Sequence, residues 1–293
     1  MLFALLCILA WGIWIAPAQG IPVKSPRTRT FYVGLANLGV ASIAFFIQGS
    51  PLPTGAPFWL PFAGGVLWAV ASYFAFLGTE NIGMAKATGV WAPLNIIFSV
   101  LWGVFLFHEL VGGGMPVLVK AGIALVLIIA GVLCIVCAGA SKSDATTDPK
   151  PAQGWFGAIA AGVLWGSYFV PIRLYPNVSL WTAALPMALG IVAGGIGMLL
   201  LAREKPMLQK PSHGFRLIFS GLLWSAGSFT SFLAMEQLGT APGFTLAQLN
   251  VLVAAGIGML FFKNPSIKSK AGLVTVGGII LALVGGVLLG NLK

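Results

Sequence analysis

Apolar runs of bilayer length alternate with short polar breaks along nearly the whole chain. They cover residues 1–19, 31–48, 57–78, 87–107 and 116–138, then 155–173, 180–202, 214–235, 242–262 and 271–290. A spanning helix takes about 20 residues, so the pattern predicts ten helices, five on each side of a polar stretch at 141–153. That stretch, Ser-Lys-Ser-Asp-Ala-Thr-Thr-Asp-Pro-Lys-Pro-Ala-Gln, is the one clear break in composition and reads as a linker. The expected fold class is an all-α polytopic membrane protein, with a first five-helix unit at 1–140 and a second at 154–293. Ala16-Pro17-Ala18 has the look of a signal-peptidase site, but no basic segment precedes the apolar run, which is read as a spanning helix.

The two units echo each other. Gly65-Val-Leu-Trp68 recurs as Gly221-Leu-Leu-Trp224, and at the same spacing Ser72 meets Ser228, Glu80 meets Glu236 and Gly83 meets Gly239. Leu94-Asn95 meets Leu249-Asn250, Trp11-Gly12 and Pro17 reappear as Trp165-Gly166 and Pro171, and Lys120-Ala-Gly122 returns as Lys270-Ala-Gly272. Matches in this order at a nearly constant offset indicate a duplicated half. An odd number of helices per half inserts the two copies upside down relative to each other. Secondary transporters recurrently use that plan, with the substrate near the midplane.

Composition removes the soluble alternatives. The chain is 58% hydrophobic and 8% charged, with mean hydropathy +0.98, too apolar for a soluble surface to cover. The net charge of +10 is therefore a matter of topology and not a nucleic-acid footprint. With the N-terminus outside, one membrane side collects Lys24, Arg27, Arg29, Lys86, Lys142, Lys150, Arg203, Lys205, Lys210, Arg216, Lys263, Lys268 and Lys270, leaving Lys120, Arg173 and Lys293 opposite. The basic side is cytoplasmic by this rule, which puts the linker inside, both termini outside, and the chain in the cell membrane.

The fourth run carries Thr88, Trp91, Asn95, Ser99 and Trp102 at steps of three or four, on one helical stripe. Pro93 lies within it and removes the donor for the Gly89 carbonyl. A polar, aromatic stripe beside a freed carbonyl suits a cavity wall, and equally a helix whose polar groups are satisfied by neighbours. Pro17 and Pro171 are further candidate kinks. Trp11, Trp165, Ser167, Tyr168, Thr245 and Gln248 extend the neutral polar and aromatic set. Indole faces beside amides fit an uncharged polyhydroxylated ligand, while Trp and Tyr also form interfacial belts. Gln248 and Asn250 are two positions apart and face different ways on a regular helix, so one of them lines the pathway unless Pro242 or Gly243 distorts it. Asn95 and Gln248 are expected to face each other across the midplane.

Charged chemistry is sparse. Of six acids, Asp144 and Asp148 are in the linker and Glu204 lies among loop cations; Glu80, Glu236 and Glu109 stand at helix ends. Those three are candidates for coupling to protons, against the plainer role of side chains snorkelling to the interface. Lys86 is a surface partner for Glu80. His108, His213 and the three cysteines form no ligand cluster, so no metal or cofactor is expected. No nucleophile–base set is present either, which excludes an enzyme. Gly190-x-x-x-Gly194 and Gly286-x-x-x-Gly290 fit close helix approach, within the chain or between copies in a homodimer, and membrane lipid is the other partner expected.

Ten helices in two inverted halves resemble the drug/metabolite transporter superfamily. Within it the chain is similar to the glucose/ribose porter family of sugar uptake permeases, on the stretches Gly65-Val-Leu-Trp68, Phe98-Ser-Val-Leu-Trp-Gly-Val-Phe-Leu-Phe-His-Glu109, Phe244-Thr-Leu-Ala-Gln248 and Leu288-Leu-Gly-Asn-Leu-Lys293. The resemblance implies a secondary transporter of a neutral sugar working by alternating access, with proton coupling. It departs at the end of the ninth run, where Lys263-Asn264 stands in place of an acidic step. An exporter of amino acids or other small metabolites, and a non-transporting membrane sensor or assembly protein, are the alternatives.

Overall fold

The computed structural model describes residues 2–14, 16–18, 21, 23, 25–49, 51–82, 84–109, 111–139, 150–175, 179–261 and 266–292. Among them there are helices and turns and no strand. The helices are α1 (Leu2–Ile13), α2 (Pro26–Gln48), α3 (Ala56–Ile82), α4 (Met84–Leu101), α5 (Gly114–Gly139), α6 (Pro151–Trp165), α7 (Val170–Arg173), α8 (Leu180–Leu201), α9 (Pro211–Leu238), α10 (Thr240–Ala247), α11 (Asn250–Phe261) and α12 (Lys270–Gly290). Eight spans are long and apolar enough to cross a bilayer; α6 with α7 forms one of them, and α4 with the turn after it another. The protein is an all-α, multi-pass membrane protein.

Two of the ten expected spans differ from the pattern. The first apolar run yields a helix of only 12 residues, about 18 Å at 1.5 Å per residue, because the chain leaves the helix before Pro17, whose ring cannot continue it. The ninth run is split into α10 and α11. Of the expected linker, residues 141–149 lie outside the described residues, and α6 already begins at Pro151.

Local chemistry sets the ends. Ser25, Ser179 and Ser269 cap α2, α8 and α12 by accepting from the Arg27, Thr182 and Gly272 amides, which meets donors that a helix start leaves unpaired. Pro26 follows Ser25 where a missing N–H costs nothing. Asn81 at the end of α3 accepts from the Lys150 amide at 2.9 Å, tying the start of the second unit to the first.

The packing interleaves the two units. α3 lies along α6 and α8, while α9 lies along α1 and α2; α2 meets α8, and α5 pairs with α12. Gly190 lets α8 approach α3 closely, because a Cβ there would land on the Phe62 carbonyl oxygen, and Gly194 faces Ala69. That Gly-x-x-x-Gly ridge is thus used inside the chain. Trp68 of α3 and Trp224 of α9 meet with ring centroids 4.1 Å apart.

Candidate functional site

Among the described residues, four helices stop or change geometry within an apolar run. α1 stops at Ile13. α6 gives way at Gly166–Phe169 before resuming as α7, α10 breaks at Gln248–Leu249, and α4 passes into a π-helical turn at Trp102–Leu106. α4 is helical straight through Pro93, so the departure from α geometry comes later in the helix than the proline. In a membrane, freed backbone groups persist where protein surrounds them or a cavity is lined.

The predicted stripe of α4 does turn inward. Thr88 is half-buried, whereas Trp91, Asn95 and Ser99 are buried. Asn95 Nδ2 donates to Gln248 Oε1 at 3.2 Å, joining α4 to the last turn of α10. The two amides are 5% and 8% exposed. Asn250 is turned aside, its Nδ2 donating back to the Ala247 carbonyl at 3.0 Å.

The polar side chains here divide by what they already bond. Trp11 Nε1 donates to the Trp224 carbonyl at 3.1 Å, and Ser99 donates to the Ile96 carbonyl at 2.8 Å. Ser167 accepts from Trp102 Nε1 at 2.8 Å while donating to the Val163 carbonyl. These three are committed to the protein, and Ser167 with Trp102 links the two units. In contrast Asn95 Oδ1, Trp165 Nε1 and Thr245 Oγ1 are buried without a hydrogen-bond partner. An unmet buried polar group costs about 1–3 kcal/mol, a cost that a further hydrogen-bond partner at each of these positions would remove.

Several of these residues also make ring contacts. Trp165 meets Trp91 edge-on at 5.6 Å. Tyr168 contacts Phe232 and Phe244 at 6.5 and 6.0 Å, and Phe244 in turn contacts Trp11 at 6.2 Å. Thr245 follows Phe244 directly, and Gln248 lies one turn on, on its face. Pro171 sits in the first turn of α7 and Pro17 in the short turn after α1, so both stand where a helix is broken.

The carboxylates lie away from the amides. Glu109, after the π-helical turn, pairs with Arg173 at 3.3 Å, and the Arg173 guanidinium lies over Phe107. Glu80 is half-buried near the end of α3 and Glu236 is exposed near the end of α9. The Lys86 side chain, expected to pair with Glu80, lies outside the described residues. Glu204, read only as a loop acid, takes a larger part: it pairs with Arg27 at 3.1 Å and accepts from Ser25 Oγ, while Arg27 stacks over Tyr73. Periodicity carries no signal for that pairing. Among the described residues no three His, Cys, Asp or Glu side chains group to hold a metal.

The family whose description is Sugar transport protein matches residues 2–292. The chain belongs to that family. It is a transporter and not an enzyme. Its relatives include the Glucose uptake protein GlcU of Bacillus subtilis, 26% identical over 299 residues and covering 100% of this chain and 98% of that one. The Probable glucose uptake protein GlcU of Priestia megaterium is 29% identical over 277 residues, covering 92% and 91%. A crystal structure with 19% sequence identity superposes with a TM-score of 0.75, covering 98% of this chain and 94% of the other, and shares its fold.

Proposed function

We propose that this transporter takes up a neutral, glucose-like sugar across the cell membrane by alternating access between two inverted halves, residues 1–140 and 154–293. The linker at 141–153 is cytoplasmic and both termini are outside. The observation that carries the substrate reading is the cluster of neutral, unmet hydrogen-bonding groups around the Asn95–Gln248 bond. Sugar hydroxyls both donate and accept, so they can bond an amide oxygen, an indole N–H and a side-chain hydroxyl at once. Indole and phenyl faces cover the C–H faces of a pyranose. The names of the GlcU relatives support the same substrate class.

The packing supports the alternating-access reading. Partners exchange between units, with α3 on α6 where α9 is on α1, and Asn95–Gln248 is an inter-unit bond that an entering sugar must replace. Glu109 bridges the units through Arg173, which makes it our candidate for proton coupling. Counterflow of labelled glucose in proteoliposomes tests the reading. We expect accumulation driven by trans glucose and blocked by competing hexose; no flux of any sugar, with flux of an amino acid instead, would replace it with the exporter reading.

A further inference from the structure

Buried serines and threonines in these helices mostly donate to a backbone carbonyl, and two of them are left without a partner. Ser225, Ser228 and Thr275 donate to the carbonyl four residues earlier, and Ser99 and Ser231 to the one three earlier. Such back-bonding is the ordinary resting place for a hydroxyl in an apolar helix. Ser72 and Thr245 do not adopt it, and each hydroxyl is buried without a partner. Thr245 belongs to the set of unpaired groups already described. Ser72 is 1% exposed and sits one turn after Trp68, on the same face of α3.

That face of α3 packs into the aromatic cluster that holds Tyr168 and Phe244. The Trp68 ring meets Trp224, and both rings pack in one cluster with Trp11, Tyr168 and Phe244. Gly64, one turn before Trp68, lies against the Tyr168 backbone. The repeat mate of Ser72 is Ser228, one turn after Trp224, and its hydroxyl is tied to the Trp224 carbonyl at 3.0 Å. The duplication therefore supplies two equivalent serines, of which the first alone keeps its hydroxyl available.

We propose that Ser72 is a specificity-determining residue, its hydroxyl bonding one hydroxyl of the sugar from the α3 side of this aromatic cluster. The inference rests on the sugar reading above and adds to it a position-selective contact. A hydroxyl that recognises one sugar hydroxyl discriminates against the analogue lacking it, because the protein group is then left buried and unpaired.

The test is binding of glucose and its five monodeoxy analogues, by displacement of labelled glucose from purified protein, to wild type, Ser72→Ala, Ser72→Thr and Ser228→Ala. We expect Ser72→Ala to bind glucose about tenfold more weakly, about 1.4 kcal/mol. One deoxy analogue should bind wild type and Ser72→Ala equally, Ser72→Thr should restore the wild-type order, and Ser228→Ala should leave that order unchanged. No loss in Ser72→Ala, or an equal loss across all analogues, overturns the role of Ser72 and leaves the sugar reading standing. Failure of wild type to bind any of the sugars overturns both.

Discussion

Asn95 donates to Gln248 at 3.2 Å across more than half the length of the chain. Each residue comes from a helix that is irregular nearby, α4 before its π-helical turn and α10 at its break. The bond is direct, and in the proposed transport cycle a sugar hydroxyl would replace it. Releasing it costs little net free energy, since a protein hydrogen bond contributes about 0.5–1.5 kcal/mol, and a sugar that offers hydroxyls to both amides compensates for it. The arrangement fits a transporter, which must bind its cargo and let it go.

The orientation is testable without knowing the cargo. We propose, from the distribution of basic residues, that the 141–153 linker is cytoplasmic and both termini are outside. A membrane-impermeant thiol reagent applied from outside should label a cysteine placed after Lys293 and miss one at Ala145, in a background lacking Cys7, Cys134 and Cys137. Labelling at Ala145 alone would reverse the orientation.

Pro93 keeps α4 helical while denying the Gly89 carbonyl its donor. Pro93→Ala should restore that bond and stiffen the helix that carries Asn95. We expect glucose counterflow to slow several-fold with no fall in melting temperature. Wild-type counterflow would limit the proline to an architectural role.

Arg27 and Glu204 tie the start of α2 to the segment after α8, with side chains 24% and 20% exposed. Partly buried and shared with Ser25 and Tyr73, the pair exceeds the 0–1 kcal/mol of an exposed bridge in consequence if the units part here. Glu204→Arg should reduce counterflow more than tenfold through like-charge repulsion, and Arg27→Glu combined with it should recover most of the loss. A double variant as impaired as the single one would rule out the ion pair as the working contact.

How much of this was legible beforehand depends on the range of the interaction. The inward turn of Trp91, Asn95 and Ser99 follows from their spacing, because a helix puts such positions on one face. The break at Gln248–Leu249 left a trace, since Gln248 and Asn250 cannot both face inward on a regular helix, and in the structure Asn250 does turn back to Ala247. The early end of α1 left a trace only in Pro17, because hydropathy across the mostly apolar residues 1–19 does not report where a helix stops. Arg27–Glu204 joins residues 177 apart in sequence, beyond any local pattern. Ser72 and Ser228 were visible as a repeated pair, but which hydroxyl stays unpaired depends on side-chain rotamers that composition does not encode.

The central claim is that the Asn95 and Gln248 amides hold the sugar, and glucose titration calorimetry on purified variants tests it most directly. Asn95→Ala and Gln248→Ala should each weaken binding about 5- to 150-fold, the equivalent of about 1–3 kcal/mol for a buried partner left unpaired. Because the two share a bond, the double variant should lose less than the sum of the singles. Asn250→Ala, whose amide is already committed to the Ala247 carbonyl, should change binding less than twofold, and all the variants should melt like wild type. A silent Gln248→Ala beside a damaging Asn250→Ala would contradict the account.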